Sequence, residues 1–238
     1  CSDLLADAGV ARVVAALRDP DPRTDGRGAA RMETRGIAVD IGTGADEARL
    51  SMAGFLTRRR FGRPHVTLKL ATSLDGRIAL DSGESQWITG PRARAHVHLE
   101  RARHDAILVG RGTFDADRPR LDVRLPGLEA RSPARVLLSS TAPAPEGWRV
   151  VRTPEGAADL PDVDYLFVEG GAATASAFLR AGMVDRLLLY RAPILIGAGR
   201  AALGDIGLER LADAHGRWRL VDARMLGSDR MEVYRAEP

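Results

Sequence analysis

A single cysteine, Cys1, and a single lysine, Lys69, occur in the 238 residues. One cysteine rules out an internal disulfide framework and suits a reducing cytoplasmic compartment. No apolar run approaches the ~18 residues that a membrane span needs. The opening CSDLLADAGV carries acids where a secretory leader has a basic segment and an apolar core. Aromatic residues reach only 5%, few for a base-stacking surface. Basic blocks are missing too: the formal charge is +3, but arginines alternate with acids along the chain, which reads as a solvated surface and not a nucleic-acid face. Ligand spacing is also lacking among the five histidines, His65, His96, His98, His104 and His215. His98-Leu99-Glu100 spells the His-x-Glu of a zinc deaminase, but it falls on a helical segment with no Pro-Cys-x-x-Cys after it, so no metal site is expected in this chain.

What remains is 45% hydrophobic and 28% charged, the composition of a globular protein able to bury a core. The pattern predicts a helix over 2–9, a strand over 10–17, a helix near 28–35, a strand near 37–41 and a helix near 45–59. The helical pattern stops around Phe61-Gly62-Arg63-Pro64, which divides the chain into residues 1–62 and 63–238. Beyond it, strands are expected at 65–71, 105–109, 134–138, 164–168, 185–190, 217–225 and 230–235, and helices at 91–103 and 172–181. Thr89 is the expected cap of the helix at 91, and Pro91 suits its first turn. Gly-Ser-Asp at 227–229 signals a hairpin between the last two strands. The class is therefore α/β, a mostly parallel sheet ending in an antiparallel hairpin.

Four features carry chemistry. In DYLFVEGGAATASAFLRAG an apolar strand runs through Glu169 and Gly170-Gly171 into a helix of small residues. Exposed N–H groups at such a turn suit a phosphate, and a plain tight turn is the competing reading. Glu169, at the carboxyl end of that strand, stands where open α/β sheets contact ligands. Arg101 and Arg124 could grip a phosphate monoester, with Asp117 placing a hydroxyl or passing a proton. Trp87, in SGESQWITG, could stack on a planar ring or anchor the loop from beneath. Lys69 could reach a ligand, although a lone strand lysine more often points to solvent at an edge.

The run from Arg63 to Arg124, with SLDGRIA, SGESQWIT, AILVGRGT and DADRPRL, and later VEGG and APILIG, resembles the reductase half of the bifunctional riboflavin-biosynthesis deaminase/reductase family. GVARVVAALRDPDPRTDGRG and GFLTRRRFGRP resemble the end of its deaminase domain and linker. The resemblance implies a dihydrofolate-reductase-like fold preceded by a partial cytidine-deaminase-like segment. It implies NADPH-dependent reduction of 5-amino-6-(5-phosphoribosylamino)uracil to its ribitylamino product, in a cytoplasmic homodimer. It assigns Ala71, Trp87, Thr113, Asp117, Ser140 and the run Gly171, Ala172, Ala173, Thr174, Ala175, Ser176 and Ala177 to the cofactor. Ser85, Arg101, Leu121, Arg124 and Glu169 go to the phosphorylated ribosylaminopyrimidine, and Asp117 is the candidate for proton flow. Cys1 aligns with the last zinc ligand of the deaminase motif, whose other ligands this sequence lacks, so zinc belongs only to an intact parent deaminase site. Between Ser140 and Val168 the chain is shorter than its family, leaving little room for the helix expected there. A related pterin or pyrimidine reductase and a non-catalytic nucleotide-binding module are the alternatives.

Overall fold

The computed structural model describes residues 1–237 and divides into two compact units, Cys1–Arg63 and Pro64 onward. The first unit runs α1 (Ser2–Asp7), β1 (Arg12–Ala15), α2 (Arg27–Glu33), β2 (Ala38–Ile41), α3 (Ala45–Ser51) and α4 (Ala53–Phe61). Its two strands pair in parallel, Arg12 beside Ala38 through Ala15 beside Ile41. The single helix expected at 45–59 is broken at Met52, whose φ of −107° and ψ of 15° end one helix and begin the next.

The second unit contains β3 (His65–Thr72), β4 (Arg77–Leu80), α5 (Pro91–Arg101), β5 (Ala106–Gly110), α6 (Arg111–Asp117), β6 (Ala134–Leu138) and β7 (Arg149–Val151). It continues with β8 (Tyr165–Val168), α7 (Ala172–Arg180), β9 (Arg186–Arg191), β10 (Gly199–Ala201), β11 (Trp218–Leu226) and β12 (Asp229–Ala236). Among the described residues, eight strands form one sheet in the order β11-β12-β9-β3-β8-β5-β6-β7. Neighbours from β9 to β7 are parallel, and β12 runs antiparallel to both β9 and β11. The expected mostly parallel sheet with a terminal antiparallel hairpin is what forms.

The pleat sorts the core. On β3, Val66, Leu68 and Leu70 face the layer of α7, where they pack with Leu108, Leu166, Val168 and Phe178. The opposite face, under α5, is built by Ile107, Val109, Phe167, Leu188 and Tyr190 with Ala93 and Val97 of the helix. Strands buried on both faces read as continuous apolar runs, which is why DAILV and DYLFV stand out in the sequence. Each fully buried Leu or Phe of this set contributes about 1.5–3 kcal/mol.

Several local expectations are corrected. Thr89 does not cap α5: Gly90 occupies the cap position, and its N–H donates to Asp229 Oδ2 at 2.6 Å, a carboxylate brought by the distant hairpin. Pro91 does open the helix. The stretch GRGTFDADRP, expected as loop, forms α6 because an apolar contact, Phe114 edge-on to Trp148 at 5.1 Å, anchors it. The short segment 141–163 holds the three-residue β7 and one 3-10 turn, Glu155–Asp159, in place of a covering helix. Ala157, Leu160 and Val163 are buried there and close the core that a helix would have covered. Strands β4 and β10 pair antiparallel to each other outside the main sheet, an element with no period-2 signal long enough to read.

Candidate active site

Strands β5 and β8 are parallel neighbours whose chains leave in opposite directions, β5 through α6 to β6 and β8 through α7 to β9. Such a switch point opens a crevice beyond the carboxyl ends of the strands. A cleft of about 770 Å³ lies here, bordered by β3, the loops around β4, α6, the segment 117–124 and the first turn of α7. An adjoining lobe of about 410 Å³ shares Lys69, Trp87, Arg101, Arg124 and Glu169 with it. These volumes fall in the range of small-molecule sites.

The turn from β8 into α7 is shaped by packing. A Cβ on Gly170 would lie 2.3 Å from Thr174 Cβ, and one on Gly110 would lie 2.0 Å from Thr174 Oγ1. Only glycines let the first turn of α7 settle against the end of β5. The Gly171 N–H donates to Thr113 Oγ1 at 3.2 Å, tying α7 to α6 across the crevice. The amides of Ala172, Ala173 and Thr174, like those of any first turn, have no carbonyl within their own helix, and all three residues line the cleft.

Behind this turn sits an ion pair. Arg101 donates to Glu169 through Nε (2.6 Å to Oε1) and Nη2 (2.9 Å to Oε2), and its Nη1 donates to the Asp122 carbonyl at 3.0 Å. Both side chains are nearly buried, at 12% and 9% exposure. Burial pushes the Glu169 carboxyl up, but Arg101 and then Lys69 outweigh it and hold it below the ordinary carboxylate range. Lys69 follows Leu68, which pairs with Val168, so the lysine stands beside Glu169 on the α5 face of the sheet. It lies on a central strand and not at an edge, so the solvent-facing reading of this residue is corrected. Burial lowers its pKa, against the attraction of Glu169 and with the repulsion of Arg101.

Trp87 is 65% exposed and lines both lobes, which removes the reading of it as an anchor beneath its loop. The Arg94 guanidinium covers one face of the ring at 4.8 Å and is itself held by the Thr89 carbonyl at 2.6 Å. The SLDG and APILIG motifs meet each other: Asp75 accepts from Ser73 Oγ (2.6 Å), Gly197 N (2.7 Å) and Ile196 N (3.1 Å). Those bonds, the Ser73 hydroxyl first, hold its carboxyl at about 2. Leu121 is buried in the α5-side core with φ of 56°, a strained conformation of the kind that clusters at functional sites.

Of the residues expected from sequence, Ala71, Ser85, Trp87, Arg101, Thr113, Asp117, Leu121, Arg124, Glu169, Gly171, Ala172, Ala173 and Thr174 border this cleft. Ser140, Ala175, Ser176 and Ala177 do not. Ser140 is exposed just beyond β6, Ala175 is fully buried in the α7-side core, and Ser176 Oγ accepts from Gly204 N at 2.8 Å. Only the first turn of a helix can face its own N-terminal cleft, which is why the run stops contributing after Thr174. The two arginines are not a matched free pair either: Arg101 is committed to Glu169, while Arg124 is exposed and 3.6 Å from Asp122. Asp117 is exposed at the end of α6.

Sequence reasoning missed Arg94 and Arg200 and weighed His98 only as part of a zinc-motif lookalike; Arg200 borders the larger lobe, and Arg94 and His98 border the smaller one. The spacing Arg94, His98, Arg101 places them on one helix face, and that was the available signal. Cys1 is exposed and free, and no three His, Cys, Asp or Glu side chains gather into a metal site among the described residues. No helix among them is long and apolar enough to cross a membrane.

Comparison with known proteins places this geometry in context. The family described as the RibD C-terminal domain matches residues 64–160 and 158–231. The riboflavin biosynthesis protein RibD of Escherichia coli is 37% identical over 277 aligned positions, covering 96% of this chain and 75% of that protein. A crystal form of Acinetobacter baumannii RibD superposes with a TM-score of 0.84 at 32% identity, covering 100% of this chain and 76% of the other. The Thermotoga maritima diaminohydroxyphosphoribosylaminopyrimidine deaminase/5-amino-6-(5-phosphoribosylamino)uracil reductase gives 0.84 at 29% identity, covering 99% and 74%.

Proposed function

The chain belongs to the RibD family of riboflavin biosynthesis proteins, and from that premise we propose that it is the family's pyrimidine reductase, converting 5-amino-6-(5-phosphoribosylamino)uracil to 5-amino-6-(5-phosphoribitylamino)uracil with NADPH. The observation that carries this is the meeting, at one switch point, of a helix first turn suited to a pyrophosphate with a buried lysine–carboxylate–arginine group.

The residues present fit a dinucleotide: three first-turn amides, the short side chains of Ala172 and Ala173, and the Thr113 hydroxyl. NADPH, when bound, supplies the hydride. Around it, Ala71, Trp87, Thr113, Asp117 and the turn from Gly171 to Thr174 hold and orient the cofactor, with the open face of Trp87 available for stacking. Ser85, Leu121, Arg124 and Glu169 border the substrate, and Arg101 acts mainly by fixing Glu169. Reduction of a ribosylamine passes through its open-chain imine, so the ring oxygen must gain a proton as the ring opens. Lys69, with its ammonium weakened by burial, delivers that proton, and Glu169 keeps the lysine charged enough to have one to give. Asp117, out at the cleft margin, positions the nicotinamide end. The strands and α5 exclude water from the reacting carbon. Cys1 is the one residue here that the resemblance ties to a deaminase zinc site, and a cytoplasmic homodimer is the state this reading expects.

Two variants separate the lobes. Ala173→Glu sets a carboxylate at the turn and should weaken NADPH binding by roughly tenfold or more while sparing substrate. Arg124→Ala should raise the substrate KM and leave NADPH affinity nearly unchanged. Equal loss of both ligands in either variant overturns the assignment.

A further inference from the structure

One face of α5 forms a wall of the smaller lobe. Arg94, Val97, His98 and Arg101 recur at i, i+3, i+4 and i+7, and all four line it. Two of the three polar groups already have work: Arg94 covers Trp87 and donates to the Thr89 carbonyl, and Arg101 holds Glu169. His98 differs. Its Nδ1 lies 3.1 Å from the Asp122 carbonyl oxygen and 3.3 Å from the Arg124 amide nitrogen, so this edge of the ring is committed to the backbone of the segment that carries Arg124. Nε2 is the ring's other polar atom.

The two contacts at Nδ1 ask for opposite protonation. A protonated Nδ1 donates to the carbonyl, and in the neutral ring leaves Nε2 as an acceptor. A bare Nδ1 accepts from the Arg124 amide, and the ring then carries its proton on Nε2. The lobe decides between them. Lys69, Arg94, Arg101 and Arg124 line it against one carboxylate, Glu169, which Arg101 already neutralises. An occupant of such a lobe is anionic, and an anion selects the tautomer that offers a donor.

We propose that His98 is a substrate-contacting residue of this lobe, its Nε2–H donating to the phosphate of the sugar-phosphate arm while its Nδ1 accepts from the Arg124 amide. This deepens the reductase reading and rests on its phosphorylated substrate. Burial first, then the neighbouring Arg101 and Arg124, lower the pKa of the ring against the opposing Asp122 carbonyl and Glu169. His98 thereby links the phosphate to the loop bearing Arg124.

Two substitutions separate a ligand contact from a structural brace. The glutamine amide in His98→Gln reaches the position of Nε2, and the asparagine amide in His98→Asn that of Nδ1. With 5-amino-6-(5-phosphoribosylamino)uracil, His98→Asn should raise KM roughly tenfold or more and His98→Gln less than about threefold, with kcat and NADPH affinity unchanged in both. The opposite ranking, or no separation between them, overturns the contact and leaves a loop brace. A second measurement needs no turnover: ¹⁵N resonances of the His98 ring in the whole protein, titrated with ribose 5-phosphate. The expected result is an Nε2–H tautomer whose Nε2 resonance moves on titration. No movement overturns the contact. Movement without any NADPH oxidation by the wild type would sink the reductase reading and leave the phosphate contact standing.

Discussion

Lys69 concentrates the residue-scale account. It is the only lysine of the chain, set on a central strand beside a carboxylate that a buried arginine grips through two hydrogen bonds. Breaking such a pair by deleting one partner strands the other charge, which is why the Arg101–Glu169 pair is as much a structural joint as a ligand contact. In the proposed reaction the proton transfer falls to the lysine. Lys69→Gln should lower kcat by about 10²–10⁴ while NADPH affinity stays nearly constant, as steady-state rates and cofactor titration would report. A group that gives a proton works only while protonated, so activity should fall as pH rises through the folded pKa of Lys69. That pKa is lowered from the ordinary 10.5, so the alkaline fall begins below the ordinary lysine range. Lys69→Gln should lack this limb. An unchanged alkaline profile in the variant would move the proton to another residue.

At the scale of elements, the first turn of α7 and the loop pair around β4 and β10 are the parts most exposed to test. Gly170→Ala would put a methyl 2.3 Å from Thr174 Cβ, against a buried side chain with no room to yield. The expected cost is about 1–3 kcal/mol in denaturant unfolding, with weaker NADPH binding because the turn must shift. The Asp75 bonds give a pH test. The folded carboxyl sits at about 2 against an ordinary 3.8, so its contribution is complete above the unfolded value and is lost as pH falls through the folded one. Thermal unfolding followed between those limits should show an acid-dependent loss in the wild type that Asp75→Ala lacks. These elements also mark how far the sequence could be read. VEGG announced a tight strand-to-helix turn, but that Gly170 yields to Thr174 is a contact made across space. Thr89 had the chemistry of a cap, and a carboxylate from the far hairpin, Asp229, took the amide of Gly90 instead. Short strands such as β4, β7 and β10 carry three or four residues, too few to establish a period.

For the molecule as a whole, the parallel sheet, its terminal hairpin and most of the cleft residues were legible because apolar strands and conspicuous motifs lie close together in sequence. The central position of Lys69 beside Glu169 and the backbone contacts of His98 could not be read, because they depend on neighbours brought from β8 and from the segment 122–124, which no local pattern reports. The topology then supplies what the motifs lack: β5 and β8 part in opposite directions, so the first turn of α7 and the Lys69–Glu169 pair open onto the same crevice. The central claim is that this crevice passes a hydride from the nicotinamide to the anomeric carbon of a phosphoribosylaminouracil. The most direct test is turnover with NADPH deuterated at nicotinamide C4, followed by mass spectrometry and NMR of the product. Deuterium at C1′ of the ribitylamino chain is the predicted result; NADPH that binds but is not oxidised, or a ribitylamino product carrying no label, would contradict it.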